Sequence, residues 1–253
     1  MIDYSEASGT YDNTRHFDDS VIAIMARRDA FAARGAGAEA QRPRVLDFGC
    51  GTGNYLAELS RRFDCELFGL EFSDAMREIA SSKCPLCRIE KGDHSNLPFD
   101  RGFFDFVFMT DVVHHVPDLD LLFETLHSRL APGGFVCVVT ESWKQIEARW
   151  YNEYFPSLAG KEKSRYPDLP EIERRAAMAG FRCAGTEIKA NPGPHVVDDD
   201  FLRMVGEKNY SMFKLLGEAE YESGYAAMRR DESRIFLSPG AGESLLWFEK
   251  GEA

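Results

Sequence analysis

Apolar and polar residues follow two different periods along this chain, and the two periods alternate. Nearly continuous apolar runs at 45–48 and 103–109 predict strands that are buried on both faces. Leu56, Leu59 and Phe63 recur at helical spacing between those runs and predict an amphipathic helix. Further strands are predicted at 66–70, 89–91, 135–139, 181–188 and 244–249, and further helices after residue 73, at 119–130 and at 169–179.

This alternation of strands and helices predicts an α/β fold. Right-handed crossovers then build a mostly parallel sheet with helices on both faces. The alternation stops after Thr140, where segments near 143–168 and 195–235 are rich in aromatic residues. We expect these two segments to be late insertions that cover a substrate. A first helix is predicted to begin at Asp18 and to end at Gly35.

Composition narrows the class of protein. The chain has 253 residues, and its 42 acidic and 30 basic residues give a formal net charge of −12. Because phosphate backbones attract net positive charge, this balance argues against a nucleic-acid-binding protein. No apolar run approaches the ~20 residues of a membrane span, and the acidic start at 1–10 is unlike a secretory signal. We therefore expect a cytoplasmic protein without a membrane partner, as a monomer or homodimer.

Six cysteines are scattered along the chain without a framework. In a chain with no export signal, they are expected to be reduced thiols that are mostly buried. Cys84 and Cys87 have the spacing of a zinc or redox site, but a second pair at the interval that zinc requires is absent from the sequence. The Cys84-Pro85-Leu86-Cys87 segment is therefore predicted to be a connecting loop, and no metal site is predicted.

A glycine-rich segment follows the first predicted strand. Gly49, Gly51 and Gly53 alternate with other residues, which lets the backbone turn tightly where a parallel strand reaches its carboxyl edge. The third glycine of a dinucleotide fingerprint would stand at position 54, which is Asn54. The loop contains no lysine or arginine that could hold a phosphate. It therefore favours a nucleoside with a small tail that is not a phosphate.

Two acidic residues end the next two predicted strands. Glu71 can accept hydrogen bonds from both hydroxyls of a ribose, and Asp93 can accept one from an adenine amino group. Phe72 and Met76 are apolar neighbours that could flank the faces of an adenine. One edge of the sheet thus offers a glycine shelf, a ribose acceptor and an adenine acceptor.

Several motifs in order resemble the class I S-adenosylmethionine-dependent methyltransferases, in particular their small-molecule branch. The matching residues are the run 45–53, Glu71, the Gly92-Asp93 pair with Leu97, Pro98 and Phe99, and the runs 104–109, 113–118 and 130–134. The resemblance extends over residues 4 to 142. It implies a Rossmann-like seven-stranded, mostly parallel sheet whose last strand is antiparallel, which the strand at 244–249 fits.

The resemblance also implies cofactor-binding residues. They are Asp47, Gly49, Cys50 and Gly51 for the methionine part of S-adenosylmethionine, Glu71 for the ribose, Asp93 with His94 for the adenine, and Thr110 beside the sulfonium. Residues 11–15 resemble a Tyr-Asp-x-x-Arg segment of this branch, in which Tyr11 closes over the cofactor and Arg15 meets its carboxylate. A surface helix anchor is the alternative for Tyr11 and Arg15.

The resemblance implies one class I methyltransferase domain over 1–253. It comprises a cofactor-covering helical segment at 1–42, a cofactor-binding core at 43–142 and the remainder of the sheet with its insertions at 143–253. The implied reaction moves a methyl group by in-line displacement to an O, N or C atom of a small organic metabolite, with natural-product biosynthesis as one setting, and leaves S-adenosylhomocysteine as the product.

Three histidines are candidate general bases, since an acceptor hydroxyl must lose its proton during transfer. His114 is the preferred one. His115 belongs to a segment in which the family commonly has a structural histidine, and His195 in the Pro-Gly-Pro-His turn is the third candidate.

Aromatic residues of the late segments are candidate acceptor contacts, because they could stack on a planar or apolar substrate. Packing of the insertions is the alternative role. The candidates are Trp143, Trp150, Tyr151, Tyr154, Tyr210 and Phe213.

Other functions are left open. A protein or RNA methyltransferase and a non-catalytic S-adenosylmethionine-binding module are the main alternatives. Residues 110–113 lack the Asn/Asp-Pro-Pro-Tyr motif of adenine methylation. A nicotinamide dehydrogenase would need the third glycine and a second nucleotide-binding half.

Overall fold

The first helix is shorter than the sequence predicts. The computed structural model describes residues 17–33, 41–191, 193–237 and 240–251. Helix α1 (Asp19–Arg27) begins where the Asp18 carboxylate accepts hydrogen bonds from the amides of Ser20 and Val21. It ends eight residues before Gly35, which lies outside the described residues.

A seven-stranded sheet forms the centre of the fold, which confirms the α/β prediction. Its strands are β1 (Arg44–Phe48), β2 (Glu66–Glu71), β3 (Arg88–Lys91), β4 (Phe104–Thr110), β5 (Leu130–Thr140), β6 (Phe181–Asn191) and β9 (Gly240–Lys250), whereas β7 (His195–Val196) and β8 (Ile235–Phe236) form a separate pair. The strands of the large sheet stand in the order β3-β2-β1-β4-β5-β9-β6. The first five strands of that order pair in parallel with their neighbours.

The strand order reverses at β1, because the chain goes outward from β1 to β2 and β3 and then returns to place β4 on the other side of β1. Such a switch point leaves a crevice at the carboxyl ends of the strands, where open α/β sheets bind their ligands. Loops that follow β1, β2, β3 and β4 all reach this edge. The fold therefore brings the predicted cofactor residues to one side of the sheet.

Helices connect the strands, and side-chain caps fix where several of them begin. Ser73 accepts from the amide of Met76, and Asp118 accepts from the amide of Leu121. The remaining helices are α2 (Asn54–Arg62), α3 (Asp74–Lys83), α4 (Leu119–Arg129), α5 (Trp143–Glu147), α6 (Leu158–Lys163), α7 (Leu169–Met178), α8 (Asp199–Gly206) and α9 (Glu218–Arg230). Among them, none of the described helices is long and apolar enough to span a bilayer.

The core of the sheet follows the apolar runs. Phe104, Phe106 and Phe108 on β4 are fully buried, and so are Val107 and Met109 on its other face. Burial on both faces is the reason that β4 has no alternation in its sequence. Strand β5 begins at Leu130, five residues earlier than predicted, so that the Pro132–Gly134 run lies within the strand rather than ending the helix before it.

The described residues form two compact units. One contains the strands and helices up to Thr140, the segment Pro170–Glu187 and the chain from Leu245. The other contains Glu141–Leu169 and Ile188–Ser244. We call them the sheet unit and the aromatic unit. The organisation of 1–253 as a single domain stays a prediction.

The prediction of reduced cysteines is wrong for one pair. Cys84 and Cys87 form a disulfide in the turn between α3 and β3. Their spacing of three residues brings the two Cα atoms to 5.3 Å, which is within the range that a disulfide bridges. Cys50, Cys65 and Cys137 are free and buried, and Cys183 is free and exposed.

Candidate functional site

The glycine loop after β1 turns through three left-handed residues. Gly49, Gly51 and Gly53 have φ angles of 77°, 55° and 78°. A Cβ atom at Gly49 would lie 2.6 Å from Cγ2 of Val112, and one at Gly53 would lie 2.9 Å from the Cβ of Ala80. Glycine is therefore required at these two positions both by backbone angle and by space.

Glu71 is held in place by the backbone around it. Its Oε2 accepts from the amide of Gly51 at 2.9 Å, and its Oε1 accepts from the amide of Ser73 at 2.8 Å. Each oxygen retains a further lone pair, because a carboxylate oxygen can accept two hydrogen bonds. The carboxylate is thus oriented in advance to receive two more donors, as the two hydroxyls of a ribose would supply.

Asp47 is a buried acid at the end of β1, and its side chain is only 3% exposed. Burial raises the pKa of this carboxyl well above its ordinary value, and the nearby charge of Glu71 raises it further. Burial likewise raises the pKa of Glu71, although the amides of Ser73 and Gly51 oppose the effect. Two acids that repel each other in a buried loop favour a cationic ligand.

The loop after β3 presents a third acid. The Oδ1 atom of Asp93 accepts from the amide and the hydroxyl of Ser95 and from the amide of Asn96, which holds the pKa of Asp93 below its ordinary value. The neighbouring His94 is half-buried. Asp93 is therefore ionised and fixed as an acceptor.

Two apolar side chains differ strongly in exposure beside Glu71. Phe72 is 62% exposed, whereas Met76 on α3 is buried. An exposed phenyl ring next to the predicted ribose acceptor is typical of a stacking surface that a planar base covers.

The end of β4 carries a strained residue and a polar atom that lacks a partner. Thr110 has a buried Oγ1 for which the described residues supply no hydrogen bond. Asp111 follows with φ of 57°, a left-handed angle that is uncommon outside glycine. No pattern in the sequence predicts this left-handed residue.

The two predicted histidines after β4 lie on a short 3₁₀ helix, Val113–His115, and their rings are 3.9 Å apart. His114 is half-buried and His115 is exposed. The structure thus distinguishes the two candidates by exposure.

These residues fit the cofactor that the sequence implies. Along one edge of one sheet lie a glycine cradle, an oriented carboxylate, an ionised acid, an exposed ring and a buried hydroxyl that no described residue hydrogen-bonds. Together they match a nucleoside that carries a cationic amino acid tail. Tyr11 and Arg15 lie outside the described residues and stay predictions.

The aromatic unit brings together residues that are far apart in sequence. The ring of Trp150 lies 4.7 Å from Phe201, 4.9 Å from Phe236 and 6.2 Å from His195. Tyr151 contacts Phe201 and Phe213, at 5.9 and 6.1 Å between ring centroids. Phe201 and Phe236 were not predicted, since nothing local marks them as members of this cluster.

Exposure divides the predicted acceptor residues into two groups. Phe213 is fully buried and Tyr154 is 8% exposed, with its hydroxyl donating to Asp231 at 2.9 Å, so both pack the unit. Trp150, Tyr151 and Tyr210 are half-buried and could present a face to a ligand.

Trp143 does not join this cluster. Its indole nitrogen donates to the carbonyl of Tyr166 at 2.8 Å, Lys163 lies 5.7 Å from the ring, and 42% of its surface is exposed. Its place at the start of α5 fixes it on the surface. A role of Trp143 as an acceptor contact stays a prediction.

His195 lies on the two-stranded sheet formed by β7 (His195–Val196) and β8 (Ile235–Phe236). Its ring is parallel to that of Trp150, and its buried Nε2 has no hydrogen bond from the described residues. Among the three histidines, it is the one that belongs to the aromatic unit.

A buried ion-pair network was missed by sequence reasoning. Arg149 forms a two-pronged pair with Glu141 and donates to Glu162 at 3.1 Å, while Arg165 donates to the other oxygen of Glu162 at 2.8 Å. Arg149 also approaches the sulfur of Met212 at 3.6 Å. Glu141 directly follows β5, and that position could have marked it.

The fold and this edge of the sheet define a class I S-adenosylmethionine-dependent methyltransferase. A family model described as a methyltransferase domain matches residues 18–184, and the chain belongs to that family. S-adenosylmethionine is accordingly the cofactor, and the chain is a methyltransferase.

Relatives and solved structures agree with this class. A demethylmenaquinone methyltransferase of Staphylococcus carnosus is 27% identical over 174 residues, which are 59% of this chain and 71% of the relative. A methyltransferase assigned to an antibiotic biosynthesis pathway of Anabaena variabilis has a TM-score of 0.70 at 18% identity, covering 89% of this chain and 96% of the other.

Another solved structure with this fold was determined with the product of the cofactor. The geranyl diphosphate C-methyltransferase of Streptomyces coelicolor, in complex with S-adenosyl-L-homocysteine, has a TM-score of 0.57 at 16% identity and covers 92% of this chain and 76% of its own.

Proposed function

We propose that this protein methylates a small, uncharged organic acceptor that carries a planar or apolar group. The observation that carries the proposal is the cluster of half-buried rings around Trp150. The bound cofactor supplies an activated methyl group on a sulfonium with its leaving group built in. The protein's own residues therefore need mainly to bind, to orient and to exclude water.

The sheet unit supplies the cofactor contacts in this proposal. Glu71 accepts from the ribose hydroxyls, Asp93 accepts from the adenine, and Phe72 stacks on the adenine face. Asp47 holds the cationic amino acid tail as a carboxylate. Its own pKa falls when the cation binds, since an opposite charge nearby favours the ionised form.

The acceptor's charge is inferred from the aromatic unit. Arg149 and Arg165 are both committed to carboxylates, so the pair of cations is matched by Glu141 and Glu162. A phosphate or diphosphate would need donors that this network already uses. A neutral acceptor such as a phenol, a hydroxylated quinone or an aromatic amine fits better.

The acceptor is proposed to differ from that of the demethylmenaquinone relatives. The family model ends at residue 184, before the stretch Ile188–Ser244 that contributes Phe201, Tyr210, Phe213 and Phe236. This stretch supplies half of the aromatic cluster, so the acceptor contacts proposed here lie largely outside the residues that the family model matches.

His114 is proposed as the general base when the acceptor is a hydroxyl. It is half-buried beside the end of β4, whereas His115 is exposed, and a half-buried imidazole is better placed to take a proton in a water-poor site. A His114→Gln variant should lower kcat with a hydroxyl acceptor and leave the Kd for S-adenosylhomocysteine unchanged. Equal loss in His115→Gln would contradict this assignment.

The first test is calorimetric titration with S-adenosylhomocysteine, with NAD as the comparison. Binding of the homocysteine compound alone at one site is the expected result. A panel of phenols, quinols and aromatic amines is then incubated with a methyl-labelled cofactor and read by mass. Transfer only to a protein or an RNA would overturn the acceptor class, and cofactor binding with no transfer to any class would favour a binding module.

A further inference from the structure

The disulfide between Cys84 and Cys87 closes the turn that directly precedes β3, and methyl transfer makes no use of it. The amide of Cys87 donates to the carbonyl of Cys84 at 3.0 Å, so the four residues form a tight turn. A disulfide is one of two oxidation states of such a pair. The question is therefore which sulfur a reductant can reach.

The two sulfurs differ in access. Cys84 is 2% exposed and its Sγ lies 3.8 Å from the carbonyl oxygen of Leu56. Cys87 is half-buried and lines a cavity of about 520 Å³, and Leu86 beside it is 93% exposed. An attacking thiolate must approach along the disulfide axis to a sulfur that it can reach, which here is Cys87.

The wall of this cavity carries more positive than negative charge, in a protein whose net charge is −12. Its charged residues are Arg42, Arg61, Arg62, Arg88, Asp64 and Glu66. Arg42 pairs with Asp64 within the wall at 2.7 Å, and Arg61, Arg62 and Arg88 pair with carboxylates outside it, which are Glu58, Asp19 and Glu90. These arginines are paired but exposed, unlike the buried Arg149, and a guanidinium has five N–H donors, so the wall can still bind a thiol that carries carboxylates.

We propose that Cys87 is a thiol–disulfide exchange site for a small acidic thiol of the glutathione class. The incoming thiolate forms a bond to Cys87 Sγ, and the Cys84–Cys87 bond breaks with its electron pair going to Cys84, which then takes up a proton. A second thiolate attacks the outer sulfur of the mixed disulfide and releases Cys87 as a thiolate, which takes up a proton. Two small thiols are oxidised to one disulfide while the protein pair gains two electrons.

The Cys84–Cys87 pair is connected to the glycine loop after β1 through α3. Cys84 directly follows Lys83, whose Nζ donates to Asn54 Oδ1 at 2.6 Å and to Thr52 Oγ1 at 3.4 Å. Ala80 in the same turn of α3 limits the space at Gly53. Opening the disulfide releases the end of this turn, so exchange is expected to weaken S-adenosylhomocysteine binding by about three- to tenfold, or ~1 kcal/mol.

The experiment uses the full-length protein with Cys183→Ser as the parent, because Cys183 is the exposed free cysteine. A Cys84→Ser variant leaves Cys87 without a resolving partner, and the matched variant is Cys87→Ser. Each is incubated with oxidised glutathione, and the adduct is located by peptide mass. The expected result is one glutathione on Cys87 in Cys84→Ser and a markedly slower adduct on Cys84 in Cys87→Ser.

Charge is tested with cystamine, a cationic disulfide, in place of glutathione disulfide. Glutathione disulfide is expected to react with Cys87 several-fold faster than cystamine at low salt. The difference between the two rates should shrink as salt screens the charges of the cavity wall. Equal rates, or no adduct on Cys87, would overturn the proposal. Where a variant does not fold, the parent is equilibrated at a series of ratios of reduced to oxidised glutathione, and its free thiols are alkylated and counted. A Cys84–Cys87 pair that stays in one oxidation state at every ratio would also overturn the proposal.

Calorimetry on the oxidised and the reduced parent measures whether the disulfide affects cofactor binding at the glycine loop. A weaker Kd for S-adenosylhomocysteine after reduction supports it, and an unchanged Kd would overturn that part. Both forms must be shown folded by far-UV circular dichroism. Adduct formation is read independently of methyl transfer, so this result stands apart from the identity of the acceptor.

Discussion

The sheet unit and the aromatic unit build their binding groups in opposite ways. In the sheet unit, a few polar groups at strand ends are fixed by backbone amides, as Gly51 and Ser73 fix Glu71. In the aromatic unit, rings from segments up to 86 residues apart, from Trp150 to Phe236, fix each other by packing. The first arrangement is suited to one invariable ligand, whereas the second can change its ligand by changing rings.

The largest expected effect is at Glu71. Glu71→Ala removes the acceptor of two charge-assisted hydrogen bonds, each worth ~1.5 kcal/mol or more, so the affinity for S-adenosylhomocysteine should fall by about 100-fold. Calorimetry measures it, and Glu66→Ala at the other end of β2 is the matched control with unchanged affinity. A loss below threefold would contradict the role given to Glu71.

Gly49 should show the next largest effect, on stability. Gly49→Ala combines a left-handed φ with a clash against Val112, and the free energy of unfolding should fall by about 2–4 kcal/mol. Gly102 is the control, because it has φ of 67° but no atom within 4 Å of an added Cβ. Its alanine variant should lose only ~1 kcal/mol in denaturant titration. Equal losses would show that space at Gly49 does not matter.

Trp150 tests whether the two units divide cofactor and acceptor between them. Trp150→Ala should raise KM for the acceptor by roughly fivefold, since stacking contacts of ~1 kcal/mol to a planar group are lost. It should leave the Kd for S-adenosylhomocysteine unchanged. Trp143→Ala, on the surface of the same unit, should change neither. A change in the Kd for S-adenosylhomocysteine in Trp150→Ala would contradict this division between the two units.

The smallest effect is a pH dependence from Asp47. Its folded pKa lies above the ordinary value of 3.8, so folding takes up a proton and the stability contributed by this group is lost as pH rises through the folded pKa. Asp47→Asn should therefore unfold ~2–4 °C higher at pH 7 without cofactor. The same variant should bind S-adenosylhomocysteine more weakly. A lower melting temperature at pH 7 would contradict the assigned burial effect.

The accuracy of the sequence predictions for each unit depends on how far apart in sequence its contacting residues are. Gly49, Glu71 and Asp93 stand at strand ends, so spacing along the chain was enough to place them at one edge. Apolar runs likewise predicted β1, β2 and β4, because continuous burial leaves a local pattern.

The aromatic unit could not be predicted in the same way. Its aromatic contacts depend on packing between distant segments, as Trp150 with Phe201 shows. The local sequence around an aromatic residue such as Trp143 does not indicate whether its side chain is packed or exposed. The Arg149 ion-pair network was not predicted for the same reason, since Glu141 and Glu162 are separated by two short helices. The Cys84–Cys87 bond depends on a turn geometry that four residues alone do not specify.

The aromatic unit is made of two stretches, Glu141–Leu169 and Ile188–Ser244, and each is connected at both ends to elements of the sheet unit. The second stretch includes residues 188–191 of β6 and 240–244 of β9, so mutations between these strand ends leave the strand order of the sheet intact. The rings around Trp150 can thus be changed separately from the glycine loop and Glu71. A laboratory library confined to these two stretches should accordingly yield enzymes with new acceptors at the same cofactor affinity.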